Sequence, residues 1–231
     1  MWSLNPEEIE AVRLSLKVAF WAMLGSLPPG LFVAYALARW NFPGKTLVDG
    51  LVHLPLVLPP VVTGYLLLLT FGRRGPIGAP LAEHLGIVLS FRWTGAALAC
   101  GIMAFPLLVR AVRLSFEAVD RRLEEAAGTL GASRPWVFAS ITLPLALPGV
   151  LAGMVLAFAK ALGEFGATIT FVSSIPGETR TLPSAIYAFT QVPGGEEPAL
   201  RLVTLSIALS FTALIASELL ARPVQRMVRG L

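Results

Sequence analysis

The stretch 124-EEAAGTLGASRPWVFASITLP-144 interrupts an otherwise apolar chain with charges, paired alanines and two glycines. Starting slightly upstream, Phe116, Val119, Leu123, Ala126/Ala127 and Leu130 recur at three- and four-residue steps. That spacing predicts one helix with a single apolar stripe. Glu117, Asp120, Arg121 and Glu124 fill much of its other face. Gly131 can end the helix by turning left-handed, and Arg134-Pro135 sends the chain onward, because a residue before proline avoids helical backbone angles. A second helix is expected from about Pro135, running on through Ile141-Thr142-Leu143-Pro144.

The stripe changes character along its length. Phe116 and Leu123 can pack against the protein's own helices, whereas Ala126, Ala127 and Gly131 offer almost no side chain. Small residues let another backbone come close. A helix resting on lipid headgroups wants bulky apolar residues opposite a Lys/Arg face. Here the polar face is mixed in sign and the tip is alanine, which favours a cleft in another protein over the bilayer surface.

The flanks explain why such a helix is set apart. Of 231 residues, 55% are hydrophobic and only 14% charged, and the mean hydropathy is +0.74. Soluble domains are roughly a quarter charged. Five segments are apolar enough to cross a bilayer, which takes about 20 residues: Val18–Leu37, Leu47–Phe71, Gly95–Val112, Ile141–Leu162 and Leu202–Leu220. Without water in the hydrocarbon core, each must be helical. The expectation is an all-α integral membrane protein, residues 1–231 forming one transmembrane domain.

Proline and glycine punctuate these spans, most densely in 53-HLPLVLPPVVTG-64. Broken helices are frequent around transport paths, although Pro and Gly are common in membrane helices generally. The segment from Gly163 to Arg201 holds 167-ATITFV-172 and 182-LPSAIYAF-189, each too short to span, as in a re-entrant piece or short interfacial helices. Ala34–Ala38 resembles a signal-peptide cleavage site, but acidic Glu7, Glu8 and Glu10 and the length of the apolar run point to an uncleaved span.

Five spans place the two ends on opposite sides. With the amino terminus outside, the inner loops carry the larger share of basic residues, including Arg39, Lys45, Arg113, Arg121 and the tail arginines Arg222, Arg226 and Arg229. Arg73 and Arg74 oppose that bias. The formal charge of +4 is spread as loop punctuation, which argues against nucleic acid as a partner. Cys100 can form no intramolecular disulfide, and His53 and His84 lack ligand-like spacing, so no metal or other cofactor is expected. The run 43-PGKT-46 ends like a phosphate-binding loop, but Arg39 stands where that loop needs its first glycine. No nucleophile elbow, zinc-binding His-Glu-x-x-His or catalytic triad is legible, and no catalytic residue is assigned.

The interrupting stretch resembles a motif of the inner-membrane subunits of bacterial ABC importers. The pattern is Glu-Ala-Ala, three residues, Gly, nine residues, Ile, one residue, Leu-Pro. Glu125, Ala126, Ala127, Gly131, Ile141, Leu143 and Pro144 match every specified position. The runs 42-FPGK-45, 53-HLPLVLPPVVTGYLLL-68, 72-GRRGPIG-78, 162-LGEFGATITFVSSIPGETRTLPSAIY-187 and 191-QVPGGE-196 extend the likeness, over nearly the whole chain, to permeases of molybdate importers. The run 162-LGEFGA-167 is similar to sulfate/thiosulfate permeases as well. Some molybdate permeases have an additional amino-terminal span, which this chain is read as lacking.

The resemblance implies a multi-pass permease of the bacterial inner membrane, with a periplasmic amino terminus and a cytoplasmic carboxyl terminus. It implies a homodimer with a second permease copy, two copies of a cytoplasmic ATP-binding subunit and a periplasmic molybdate-binding protein. The substrate it implies is molybdate, with tungstate beside it; sulfate/thiosulfate is the close alternative and a membrane enzyme or channel the alternative of another class. Glu125, Ala126, Ala127, Leu130, Gly131, Ile141, Leu143 and Pro144 would form the ATPase-docking region, with Glu125 anchoring its helix by an ion pair or cap. Lys160 and Glu164, four apart on one helix face, are expected to pair near a gate. A dianion must be held weakly enough to leave. Thr63, Gly64, Thr168 and Thr170, offering hydroxyls and exposed backbone, are the pathway candidates beside Glu164.

Overall fold

The computed structural model describes residues 4–229, with side chains up to Ala216. The chain folds as α1 (Pro6–Arg39), α2 (Lys45–Val57), α3 (Pro60–Phe71), α4 (Gly78–Leu85), α5 (Trp93–Ala118), α6 (Arg121–Thr129) and α7 (Arg134–Val137). A π-helical turn (Phe138–Thr142) follows, then α8 (Leu143–Leu162), α9 (Gly166–Val172), α10 (Leu182–Thr190) and α11 (Glu196–Arg229). There is no strand among the described residues.

Among the described residues, four stretches are long and apolar enough to cross a membrane: α1, α5, the run Arg134–Leu162, and Glu196–Ala216 of α11. The second expected span, Leu47–Phe71, is instead two helices, α2 and α3, bent by 113°. The cause is local. Leu58 precedes proline and is extended, and Pro59 and Pro60 cap and open α3 without backbone donors. The fourth expected span begins at Arg134, earlier than Ile141. The fifth runs from Glu196; the side chains of its predicted end, with tail arginines Arg222, Arg226 and Arg229, lie outside those described. Between Gly163 and Arg201 the two short apolar runs form α9 and α10.

Helix α5 is the central post. Small residues let its neighbours close on it: a Cβ on Gly30 of α1 would lie 2.8 Å from Leu108, and one on Gly153 of α8 would lie 3.2 Å from the same leucine. Toward one end, Leu37, Val109, Val112, Phe116 and Val150 form one core cluster. Toward the other, Val18, Cys100, Met103, Phe171 and Val172 form a second. Phe116 is wholly buried, and among helices in lipid its contribution is close packing rather than removal from water.

Outside this core the surface is strongly apolar: Leu47, Leu51, Tyr65, Leu69, Phe211 and Leu214 are all more than half exposed. A surface of this kind is stable in lipid or against another protein.

Candidate functional site

At the end where α1 and α5 finish, the chain leaves the bundle. Helix α5 stops at Ala118, Val119 is extended, and the Asp120 carboxylate accepts from the Arg122 amide at 2.9 Å, starting α6 afresh. The single stripe expected from Phe116 to Leu130 is therefore divided between two helices. Phe116 and Val119 are buried in the core, while Leu123 is half exposed and Leu130 stands 88% exposed. The three- and four-residue spacing carries across the break by coincidence, because an extended residue between helices resets the angular phase.

No residue of α6 is buried. Its carboxyl end closes as the glycine predicts. Gly131 has φ +87°, its amide donates to the Gly128 carbonyl (3.0 Å), and the Ala132 amide donates to that of Ala127 (3.1 Å). Ser133 then precedes α7, with Pro135 in its first turn. At 141-ITLP-144 the helix widens into the π-turn, with the Leu143 amide reaching back five residues to the Phe138 carbonyl. Pro144 explains the widening: its ring clashes with the carbonyl four residues back, and it has no amide to offer.

The helix is held by Glu124. One carboxylate oxygen accepts from Arg39 Nη2 at 3.0 Å and from the Thr142 hydroxyl at 2.6 Å. The same Arg39 nitrogen donates to the Val119 carbonyl at 3.0 Å. The pair is largely screened from solvent, with the Arg39 side chain 8% and that of Glu124 19% exposed. Just inside it, Tyr35 of α1 stacks edge-on against Phe116 of α5 and Phe138 of the π-turn, at 5.5 and 5.0 Å between ring centres. Glu125, expected to be the anchor, is exposed instead. A cleft of about 420 Å³ lies along α6, lined by Arg39, Arg121, Glu124, Glu125, Arg134 and Val137 among others.

Of the other expected docking residues, Ala126, Leu130, Gly131 and Pro144 are exposed, and Ala127, Ile141 and Leu143 half-buried. Leu143 packs against the core cluster. Sequence reasoning missed Arg39, Glu124 and Thr142 as a set. The available signals were an arginine closing the first span and a threonine inside the motif.

A second network lies at the same end. Arg113 donates to Glu117 (2.8 Å) and to Asp49 (3.0 Å), joining α5 to the start of α2.

The pathway candidates come together where α3 crosses α9. A Cβ on Gly64 would sit 2.5 Å from the Ala167 carbonyl oxygen and 2.9 Å from Thr170. Thr168 and Thr170 spend their hydroxyls on the carbonyls of Phe165 (2.8 Å) and Gly166 (2.9 Å). Thr63 is buried, and its hydroxyl has no partner among the described residues. Glu164, 2% exposed, pairs with Lys160 at 2.5 Å and accepts from the Ala167 amide at 3.1 Å. It therefore ties α8 to the first turn of α9.

The profile of the family described as "Binding-protein-dependent transport system inner membrane component" matches residues 26–226. The chain is 61% identical over 219 residues to the molybdenum transport system permease protein ModB of Escherichia coli (strain K12), covering 95% of this chain and 96% of that one. It is 58% identical, at the same coverage, to the ModB protein of Haemophilus influenzae. Identity to the sulfate transport system permease protein CysW of Synechococcus elongatus is 41%, over 75% of this chain and 60% of that one. Among solved structures, the inward-facing MetNI methionine ABC transporter superposes with a TM-score of 0.68 at 16% identity, covering 97% of each chain. A bacterial alginate ABC transporter superposes with a TM-score of 0.75 at 15% identity, covering 97% of this chain and 80% of that one.

Proposed function

The chain belongs to the family of inner-membrane components of binding-protein-dependent transport systems, and from that premise we propose that it is the permease of an ATP-driven molybdate importer. The observation that carries the substrate is 61% identity to a molybdenum permease across 95% of the chain. Sulfate is the weaker reading, since likeness to a sulfate permease falls to 41% over a shorter stretch. Tungstate shares the tetrahedral shape and charge of molybdate and follows it as a second substrate.

Residues 1–231 act as one permease domain, and two copies enclose the path. The amino terminus faces the periplasm, the carboxyl terminus and α6 the cytoplasm, and a periplasmic binding protein delivers the oxyanion to the outer face. Each α6 seats in one of two ATP-binding subunits, which supply the hydrolysis. Glu125, Ala126, Ala127, Leu130 and Gly131 meet that subunit. Ile141, Leu143 and Pro144 shape the junction with α8 behind them. Exposure of α6 on the side opposite Glu124 supports this assignment. Closing of the ATPase dimer then moves α6, and the bundle alternates between outward and inward openings. The α3–α9 crossing, with Thr63, Gly64, Glu164, Thr168 and Thr170, is the part of the path that opens and shuts.

The test is complementation of a strain deleted for this chain, with growth and radiolabelled uptake followed under limiting molybdate and, separately, limiting sulfate. Restoration by molybdate alone is expected. Restoration of sulfate uptake alone transfers the assignment to the sulfate class, and uptake without any ATPase subunit refutes the ABC mechanism.

A further inference from the structure

Helix α6 is joined by the chain itself to α5 at one end and, through α7 and the π-turn, to α8 at the other. It has no such link to α1. Its side-chain tie to α1 is the Glu124–Arg39 contact, which bridges 85 positions of sequence. Arg39 is the last residue of α1, so a force on Glu124 acts at the tip of a 34-residue helix, a rod about 50 Å long. The far end of that rod is gripped as well. Glu8 holds Arg201 of α11, and Ser15 accepts from the Leu182 amide of α10 at 2.6 Å. Thr142 shares the Glu124 oxygen, so the π-turn feels the same pull.

We propose that Glu124 is the positioning residue through which α6 drives α1, so that ATPase movement reaches α10 and α11 at the opposite end of the bundle. The inference rests on α6 being the ATPase-docking helix, and it divides two adjacent carboxylates by task. Glu125 faces the motor subunit, and Glu124 faces the spans. Because Glu124 binds with one oxygen to both Arg39 and Thr142, neutralising it removes the charge that holds the arginine while leaving the docking face intact.

The experiment uses the full complex of permease, ATPase subunit and binding protein in proteoliposomes, with molybdate uptake and ATP hydrolysis measured on the same vesicles. Retention of the ATPase subunit is scored by co-purification. Glu124→Gln and Arg39→Gln are each expected to retain the subunit and to lower molybdate transported per ATP about tenfold, the size that couplings of this kind reach. Thr142→Val, which keeps the ion pair, is expected to lower the ratio less. The exchange Arg39→Glu with Glu124→Arg is expected to recover at least half of the wild-type ratio, which a merely structural loss does not do. An unchanged ratio in both single variants overturns the proposal. So does an exchange that stays as uncoupled as the singles, or, should neither single assemble, an unchanged ratio in Thr142→Val. Failure of the wild-type chain to retain the ATPase subunit speaks against the docking assignment instead and is read from the co-purification alone.

Discussion

Glu8 and Arg201, 193 positions apart, meet through two guanidinium nitrogens at 3.1 and 2.9 Å from one carboxylate oxygen, with Glu8 wholly removed from solvent. The other Glu8 oxygen accepts from the Asn5 amide at 2.6 Å, so the same side chain also caps α1. Breaking a buried pair leaves one charge stranded, at a cost of about 3–5 kcal/mol, whereas replacing both partners by apolar residues is close to neutral. Arg201→Met is therefore expected to lower the unfolding temperature in detergent sharply. The double variant Glu8→Leu with Arg201→Met is expected to recover part of the loss. Tryptophan fluorescence on heating measures both.

At Gly131 a side chain has open space around it, so the barrier to substitution is conformational. A left-handed non-glycine residue costs about 1–2 kcal/mol. Gly131→Val is expected to unwind the end of α6, weakening capture of the ATPase subunit and abolishing uptake while leaving membrane insertion unchanged. Gly131→Asn, which tolerates this backbone, is expected to retain most activity. Co-purification and uptake of both variants form the check.

Gly64 presents the reverse case. Its φ is helical, but the α9 backbone leaves no room for a Cβ, and overpacking costs about 1–3 kcal/mol. Gly64→Ala is expected to splay α3 from α9 and cut uptake several-fold. Gly50→Ala on α2, where nothing lies within 4 Å, is expected to behave as wild type. Transport assays on the two alanine variants decide the matter.

An orphaned buried hydroxyl costs about 1–3 kcal/mol, so Thr63→Val is expected to hold or raise the unfolding temperature. If the hydroxyl serves the oxyanion in transit, uptake falls in the same variant. Unchanged uptake with raised stability removes Thr63 from the path.

Much of this fold is legible in the sequence because lipid demands long apolar runs and the turn after α6 demands a glycine. The break before α3 is harder to see. Hydropathy is continuous through 54-LPLVLPPVV-62, and only the paired prolines mark where the direction changes. The division of α5 from α6 at Val119 hides behind an apolar spacing that survives it. The exchange of anchor from Glu125 to Glu124 is the most instructive. Neighbouring positions on a helix differ by about 100° of rotation, and Arg39, which selects between them, enters from the end of another span.

The bend also has a consequence for lateral packing. Pro59 and Pro60 lack the amides that the carbonyls of Pro55 and Leu56, four residues earlier, require. Acyl chains offer such oxygens nothing. The flank of the subunit bearing this notch must border water or a neighbouring polypeptide, and the membrane's hydrocarbon is left to wet the remaining sides.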